Sequence, residues 1–98
     1  MNILAKYYTK DTDLVTRYVA DETIIVPVRN NVGDLDSIYT LNEVATMIWH
    51  LIDGRKSVSE IVEEICKVYD VRREEAEEDT LEFIISLKEA GLLRLNNE

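Results

Sequence analysis

The spacing of apolar residues changes period near Leu41, and no other feature of the 98 residues constrains the fold as strongly. Before that point β-branched and aromatic residues come in short runs: Val15, Thr16, Tyr18, Val19, then Thr23, Ile24, Ile25, Val26, then Ile38, Tyr39, Thr40. Branched side chains suit a pleated surface better than a helix, so these runs read as three strands. Asp21-Glu22 separates the first two, which predicts a tight hairpin, and Asn30 to Asp34 predicts a longer loop before the third. Pro27 has no amide to give a central strand, so the second strand is expected to end or bulge there.

After Leu41 the period is helical. Leu41, Val44, Ala45, Ile48, Trp49 and Ile52 make one apolar stripe, with Thr40-x-x-Glu43 or Asn42 as the cap and Gly54 beyond the last turn. Ser57-x-x-Glu60 has the capping-box spacing and opens a second helix with the stripe Val58, Ile61, Val62, Ile65, Cys66 and Tyr69. A third helix is expected from about Arg73 to Ala90, stopped by Gly91, with Leu92, Leu93 and Leu95 as an apolar tail. Glu74, Glu75, Glu77, Glu78 and Asp79 sit in its first turns, where the helix dipole favours negative charge. The order βββααα predicts an α+β fold. A three-stranded antiparallel sheet would be followed by a three-helix bundle, in a winged-helix-like arrangement. One domain is expected over residues 1–98, with residues 1–14 the part most open to flexibility.

Composition excludes several functions. A chain of this length buries roughly 60–68% of its unfolded surface, which leaves little room for a deep catalytic cleft. The single Cys cannot form an internal disulfide. The formal charge is −9, with 8 acids and 6 bases in residues 1–56 but 12 acids and 5 bases in residues 57–98. That balance opposes a phosphate-backbone partner, which Lys and Arg must neutralise. Neither a signal peptide nor an apolar run of about 20 residues is present, so the expected compartment is the cytoplasm.

Catalytic machinery is not legible either. His50 and Cys66 are the only soft metal ligands, short of the four a structural zinc site needs. Cys66 falls on an apolar stripe and reads as a buried structural thiol, and His50 reads as an exposed or partly covered imidazole. The three glycines are scattered at turns and form no phosphate loop. No catalytic residue, metal ligand or cofactor is therefore assigned, and no intrinsic catalysis is expected.

The third helix holds the feature with functional content. Ala76, Thr80, Phe83 and Leu87 cluster on one side and read as core. Leu81 and Ile85 fall on a different side, with Ile84 between the two faces. They either tuck under the N-terminal segment around Ile3, Leu4, Tyr7 and Tyr8, or form a hydrophobic floor that a partner covers. The last strand of a meander is an edge, and Ile38–Thr40 carries no Pro or Lys to blunt it, so an extended peptide could add there.

These residues resemble a known family. Tyr39-Thr-Leu-Asn-Glu-Val-Ala-Thr-Met-Ile-Trp-His-Leu-Ile-Asp-Gly54 is similar to the signature of PqqD-like proteins. The likeness continues through Ser57–Val62, Tyr69-Asp70-Val71, the acidic entry of the third helix, Phe83-Ile84 and Gly91-Leu92-Leu93. It covers about residues 15–95. The resemblance implies a non-catalytic recognition element for ribosomally made, post-translationally modified peptides. Such an adaptor holds the leader part of a precursor as a strand and presents it to a modifying enzyme, of the radical S-adenosylmethionine type. On this chain the implied peptide-binding residues are Ile38, Tyr39 and Thr40 on the strand, and Leu81, Ile84, Ile85 and Lys88 as the groove wall. Leu41, Asn42, Trp49, Asp53 and Gly54 are read as fold residues. The chain is expected to be free-standing, and the pathway, quinone synthesis or another, stays open. Its second contact, with the enzyme, is expected at the acidic face Glu74, Glu77, Glu78 or nowhere legible.

Two other functions compete with the adaptor. One is a winged-helix nucleic-acid reader, disfavoured because the second helix exposes Glu60, Glu63 and Glu64 beside a lone Lys67, with Arg55-Lys56 and Arg72-Arg73 the only basic pairs. The other is a regulatory module that forms a homodimer through the edge strand. The acidic balance near the groove is expected to tune which peptide or enzyme docks.

Overall fold

The computed structural model describes residues 3–11, 14–20, 22–29, 32–33 and 38–96. A 3-10 turn at Ile3–Ala5 leads into β1 (Tyr8–Lys10), β2 (Leu14–Val19), β3 (Glu22–Arg29), β4 (Val32–Gly33) and β5 (Tyr39–Leu41). Helices α1 (Glu43–Leu51), α2 (Val58–Val68) and α3 (Arg73–Glu89) follow, then β6 (Leu93–Leu95). The expected α+β order is present. Central strand β3 pairs antiparallel with β2 over Glu22 to Pro27, from Leu14↔Pro27 to Val19↔Glu22, and with β5 through Thr23↔Leu41, Ile24↔Thr40 and Ile25↔Tyr39.

Three expectations about the sheet need correction. Glu22 belongs to β3 rather than to the hairpin turn. The connection holds Ala20 at φ +56, the left-handed conformation that two-residue hairpins require. Asp21, its other residue, lies outside the described residues, as do Asn30, Asn31 and Asp34 of the expected loop. Within that loop, Val32 and Gly33 form β4 and pair with Arg29 and Val28. Strand β3 also runs straight through Pro27. Pro27 faces Leu14 at the first residue of β2, and on its other side it falls between the β5 and β4 pairings. A missing amide is tolerated there because no continuous ladder crosses it.

The helices start and stop where their caps dictate. Asn42 Oδ1 accepts from the Ala45 amide at 2.9 Å, which decides between the two candidate caps of α1. Ser57 and Glu60 form a complete capping box at α2. α3 ends in a Schellman motif: Gly91, at φ +81, donates to Lys88 O, and Leu92 donates to Leu87 O. The core between sheet and helices holds Ile25, Leu41, Trp49, Ile52, Val62, Ile65 and Ile84, all nearly inaccessible. Cys66 is only half-buried, packed against this core rather than inside it.

One layer was not foreseen. The apolar tail is strand β6, which pairs antiparallel with β1 through Tyr8↔Leu95, Thr9↔Arg94 and Lys10↔Leu93. The N-terminal segment also bonds into the helical layer. Val58 of α2 donates to Lys6 O, while Asn96, just past β6, donates to Tyr7 O and extends the strand pairing. No helix is long and apolar enough to cross a membrane among the described residues.

Candidate functional site

β5 has β3 on one side and, among the described residues, no strand on the other. In an antiparallel strand, residues turn amide and carbonyl alternately to the two sides, so part of β5 presents unpaired backbone groups outward. Beyond that edge lies α3, and between them runs an open groove of about 450 Å³. Its strand wall is Ile38, Tyr39, Thr40 and Leu41. Its helix wall is Asp79, Glu82, Phe83, Ser86 and Leu87. Ile38 is 46% exposed although strongly apolar, Tyr39 and Phe83 are half-buried, and Leu41 and Leu87 are buried beneath them. The groove therefore has an apolar base and one acidic bank. The strand end is fixed from behind, because Thr46 Oγ1 donates to Leu41 O at 3.2 Å and ties β5 to α1.

The structure brings Ile38, Tyr39 and Thr40 to this groove but not the four expected helix residues. Ile84 is 0% exposed and is core, because the buried stripe of α3 is Ala76, Thr80, Ile84 and Leu87. Phe83, expected in that stripe, turns toward the groove. Leu81, Ile85 and Lys88 stand beyond the buried stripe on the far flank, as 100° per residue requires. There Ile85 and Lys88 border a separate concavity of about 440 Å³ with Ile3, Lys6, Tyr8 and Leu95. This is the arrangement in which the extra apolar face meets the N-terminal segment.

The remaining singled-out residues have structural partners. Trp49 is 1% exposed, with Lys10 Nζ 4.8 Å from its ring centroid. Burial lowers the Lys10 pKa, partly offset by Asp53. Asp53 Oδ1 accepts from the amides of Arg55 (2.8 Å) and Lys56 (3.1 Å), and these bonds hold its carboxyl below the usual value. His50 is exposed and stacks on Tyr18 at 5.0 Å. On the acidic face of α3, Glu77 is paired with Arg73 at 3.2 Å while Glu74 and Glu78 are exposed. Among the described residues no three His, Cys, Asp or Glu side chains are grouped so as to hold a metal ion.

The family model of coenzyme PQQ synthesis protein D (PqqD) matches residues 22–93, from the first residue of β3 to the first of β6. The chain belongs to the PqqD family. Its fold is also that of two solved structures. TbiB1 in complex with the TbiA(beta) leader peptide superposes with a TM-score of 0.74, at 27% identity over 88% of this chain and 94% of TbiB1. Lasso peptide synthetase B1 complexed with the leader peptide gives 0.73, at 20% identity over 89% and 96%. No curated protein matches the chain.

In this PqqD-family chain the matched segment includes both banks of the groove, whereas β1 and β2 lie outside it. The strand bank was legible from the edge position of the third strand. The helix residues expected there, Leu81, Ile84, Ile85 and Lys88, do not line this groove, because the periodicity of α3 marks its buried stripe but not which flank the sheet adjoins.

Proposed function

We propose that this protein is a non-catalytic adaptor that captures the leader segment of a ribosomal precursor peptide and presents it to a modifying enzyme. The observation that carries the proposal is the edge of β5, unpaired among the described residues, facing the half-apolar wall of α3 across an open groove. An extended peptide laid there would gain main-chain hydrogen bonds from β5 and would turn every second side chain toward α3, one of them onto Phe83 and Leu87. Membership of the PqqD family supports the reading, as does the likeness to TbiB1, which is complexed with a leader peptide. The enzyme that receives the peptide is, by the family resemblance, of the radical S-adenosylmethionine type.

The nucleic-acid alternative finds no support in the charge geometry. Lys67 is paired with Glu64, Lys56 with Asp53, and Arg73 with Glu63 and Glu77, so these three cations face carboxylates and Arg55 and Arg72 alone make no basic stripe.

The test screens synthetic peptides from short reading frames neighbouring the gene, and the one that binds is then N-methylated at its backbone amides one at a time. Strand addition requires affinity to collapse at alternate positions and to survive at those between, because only every second amide faces β5. Uniform tolerance of methylation would rule out strand addition, and absence of saturable binding would rule out the adaptor role.

A further inference from the structure

The helix bank of the groove carries two carboxylates that the described residues leave unneutralised. Asp79 and Glu82 are both exposed and both line the groove, and neither has an ion-pair partner among the described residues. Asp53, Glu63, Glu64 and Glu77 by contrast each meet a Lys or Arg. Among the described residues no Lys or Arg lines the groove. A rise of 1.5 Å per residue separates Asp79 from Glu82 by about 4.5 Å along the axis, close enough for one cation to meet both. Toward the C-terminus the same bank becomes Phe83, Ser86 and Leu87.

Both banks have similar lengths. Residues 38–41 span about 10 Å of strand and residues 79–87 about 12 Å of helix. Side chains of an added strand that face α3 recur every second residue, about 6.8 Å apart. The acidic level, midway between Asp79 and Glu82, lies about 7 Å along the helix from the apolar level between Phe83 and Leu87. Two peptide side chains at i and i+2 therefore meet the two levels together.

We propose that the groove selects an extended peptide with a Lys or Arg two positions from an apolar residue, the cation held by Asp79 and Glu82 and the apolar side chain seated on Phe83 and Leu87. This inference rests on the peptide-binding reading above and adds the charge specificity that reading lacks. A cation at this level gains partners that are otherwise unmatched, while an acidic side chain there would face two like charges and a protein of net charge −9.

The test is selection of random short peptides from a display library on the full chain, on the charge-reversed variant D79K/E82K, and on Ser86→Phe, which fills the groove. The wild type should enrich Lys or Arg two positions from an aliphatic or aromatic residue, and D79K/E82K should enrich Asp or Glu at that same position. In a synthetic peptide from the wild-type pool, exchanging that Lys for Glu should weaken wild-type binding by about fivefold or more and reverse on the variant. If D79K/E82K does not fold, D79N/E82Q should lose the preference without reversing it. Enrichment of one apolar pattern on all charge variants, blocked by Ser86→Phe, would overturn the charge specificity and leave peptide capture standing. No enrichment, or enrichment that survives Ser86→Phe, would overturn both.

Discussion

Lys10 Nζ stands 4.8 Å from the centroid of the Trp49 ring, so a residue of the N-terminal strand covers the largest side chain of the core. β1 can place it there only because Lys10 pairs with Leu93 of β6, itself set by the Schellman turn at Gly91. Burial lowers the Lys10 pKa below 10.5, so the native state releases this proton before the unfolded chain does. The unfolded state then binds more protons in the interval between the two values, and stability rises with pH there. The burial penalty is fully present below the lowered pKa and fades as pH rises through it. Unfolding free energies of wild type and Lys10→Met should therefore diverge in favour of wild type as pH climbs toward 10.5. A difference that stays flat or shrinks would contradict this.

Gly54 is a second place where β1 meets the helical layer. It has φ +79, and a Cβ added there would lie 2.9 Å from Thr9 Cγ2. Gly54→Ala should cost about 1–3 kcal/mol in chemical denaturation, from left-handed strain together with displacement of β1. Adding Thr9→Ser, which removes that methyl, should recover part of the loss and not all of it.

The turn at Asp53 gives a prediction of the same slope in acid, but from a charged form that the fold favours rather than penalises. Its carboxylate accepts two backbone amides and lies 3.4 Å from Lys56 Nζ. These hold its pKa below 3.8, so the stabilisation is present above that value and is lost as pH falls through the native pKa. Asp53→Ala should destabilise by about 0.5–1 kcal/mol at neutral pH, a modest figure because the group is solvent-screened. The difference from wild type should vanish in strong acid, as denaturation midpoints across pH would show.

Neighbouring residues of α3 should behave oppositely. Ile84 is 0% and Ile85 is 44% exposed. Ile84→Ala should cost about 2–5 kcal/mol by the cavity it opens. Ile85→Asp should leave both the melting temperature and leader-peptide affinity nearly unchanged, because Ile85 stands outside the groove. Ser86→Phe should keep the fold and reduce affinity by about tenfold or more. Loss of binding in Ile85→Asp with Ser86→Phe unaffected would move the site to the far flank.

Element order and caps were legible because each rests on local chemistry. The period changes at Leu41, Ser57 and Glu60 are three apart, and Gly91 follows the last helical turn. The strand bank at Ile38–Thr40 was legible because the last strand of a meander is an edge. What the sequence left illegible depended on tertiary placement. Pairing of Tyr8–Lys10 with Leu93–Leu95 joins segments more than 80 residues apart, and neither run alternates long enough to declare a strand. The helix bank was assigned to Leu81, Ile84, Ile85 and Lys88 by following apolar character. The groove instead uses Asp79, Glu82 and Ser86, polar residues that look solvated until the sheet is placed beside them.

Amide hydrogen exchange of the full chain, with and without its leader peptide, tests strand capture at β5 most directly. Binding should slow exchange at alternate amides within 38–41, where new ladder bonds form, and leave Lys6, Tyr8, Ile85, Lys88 and Glu89 on the far flank unchanged. Protection confined to that second group, with 38–41 exchanging as in the free protein, would contradict the account.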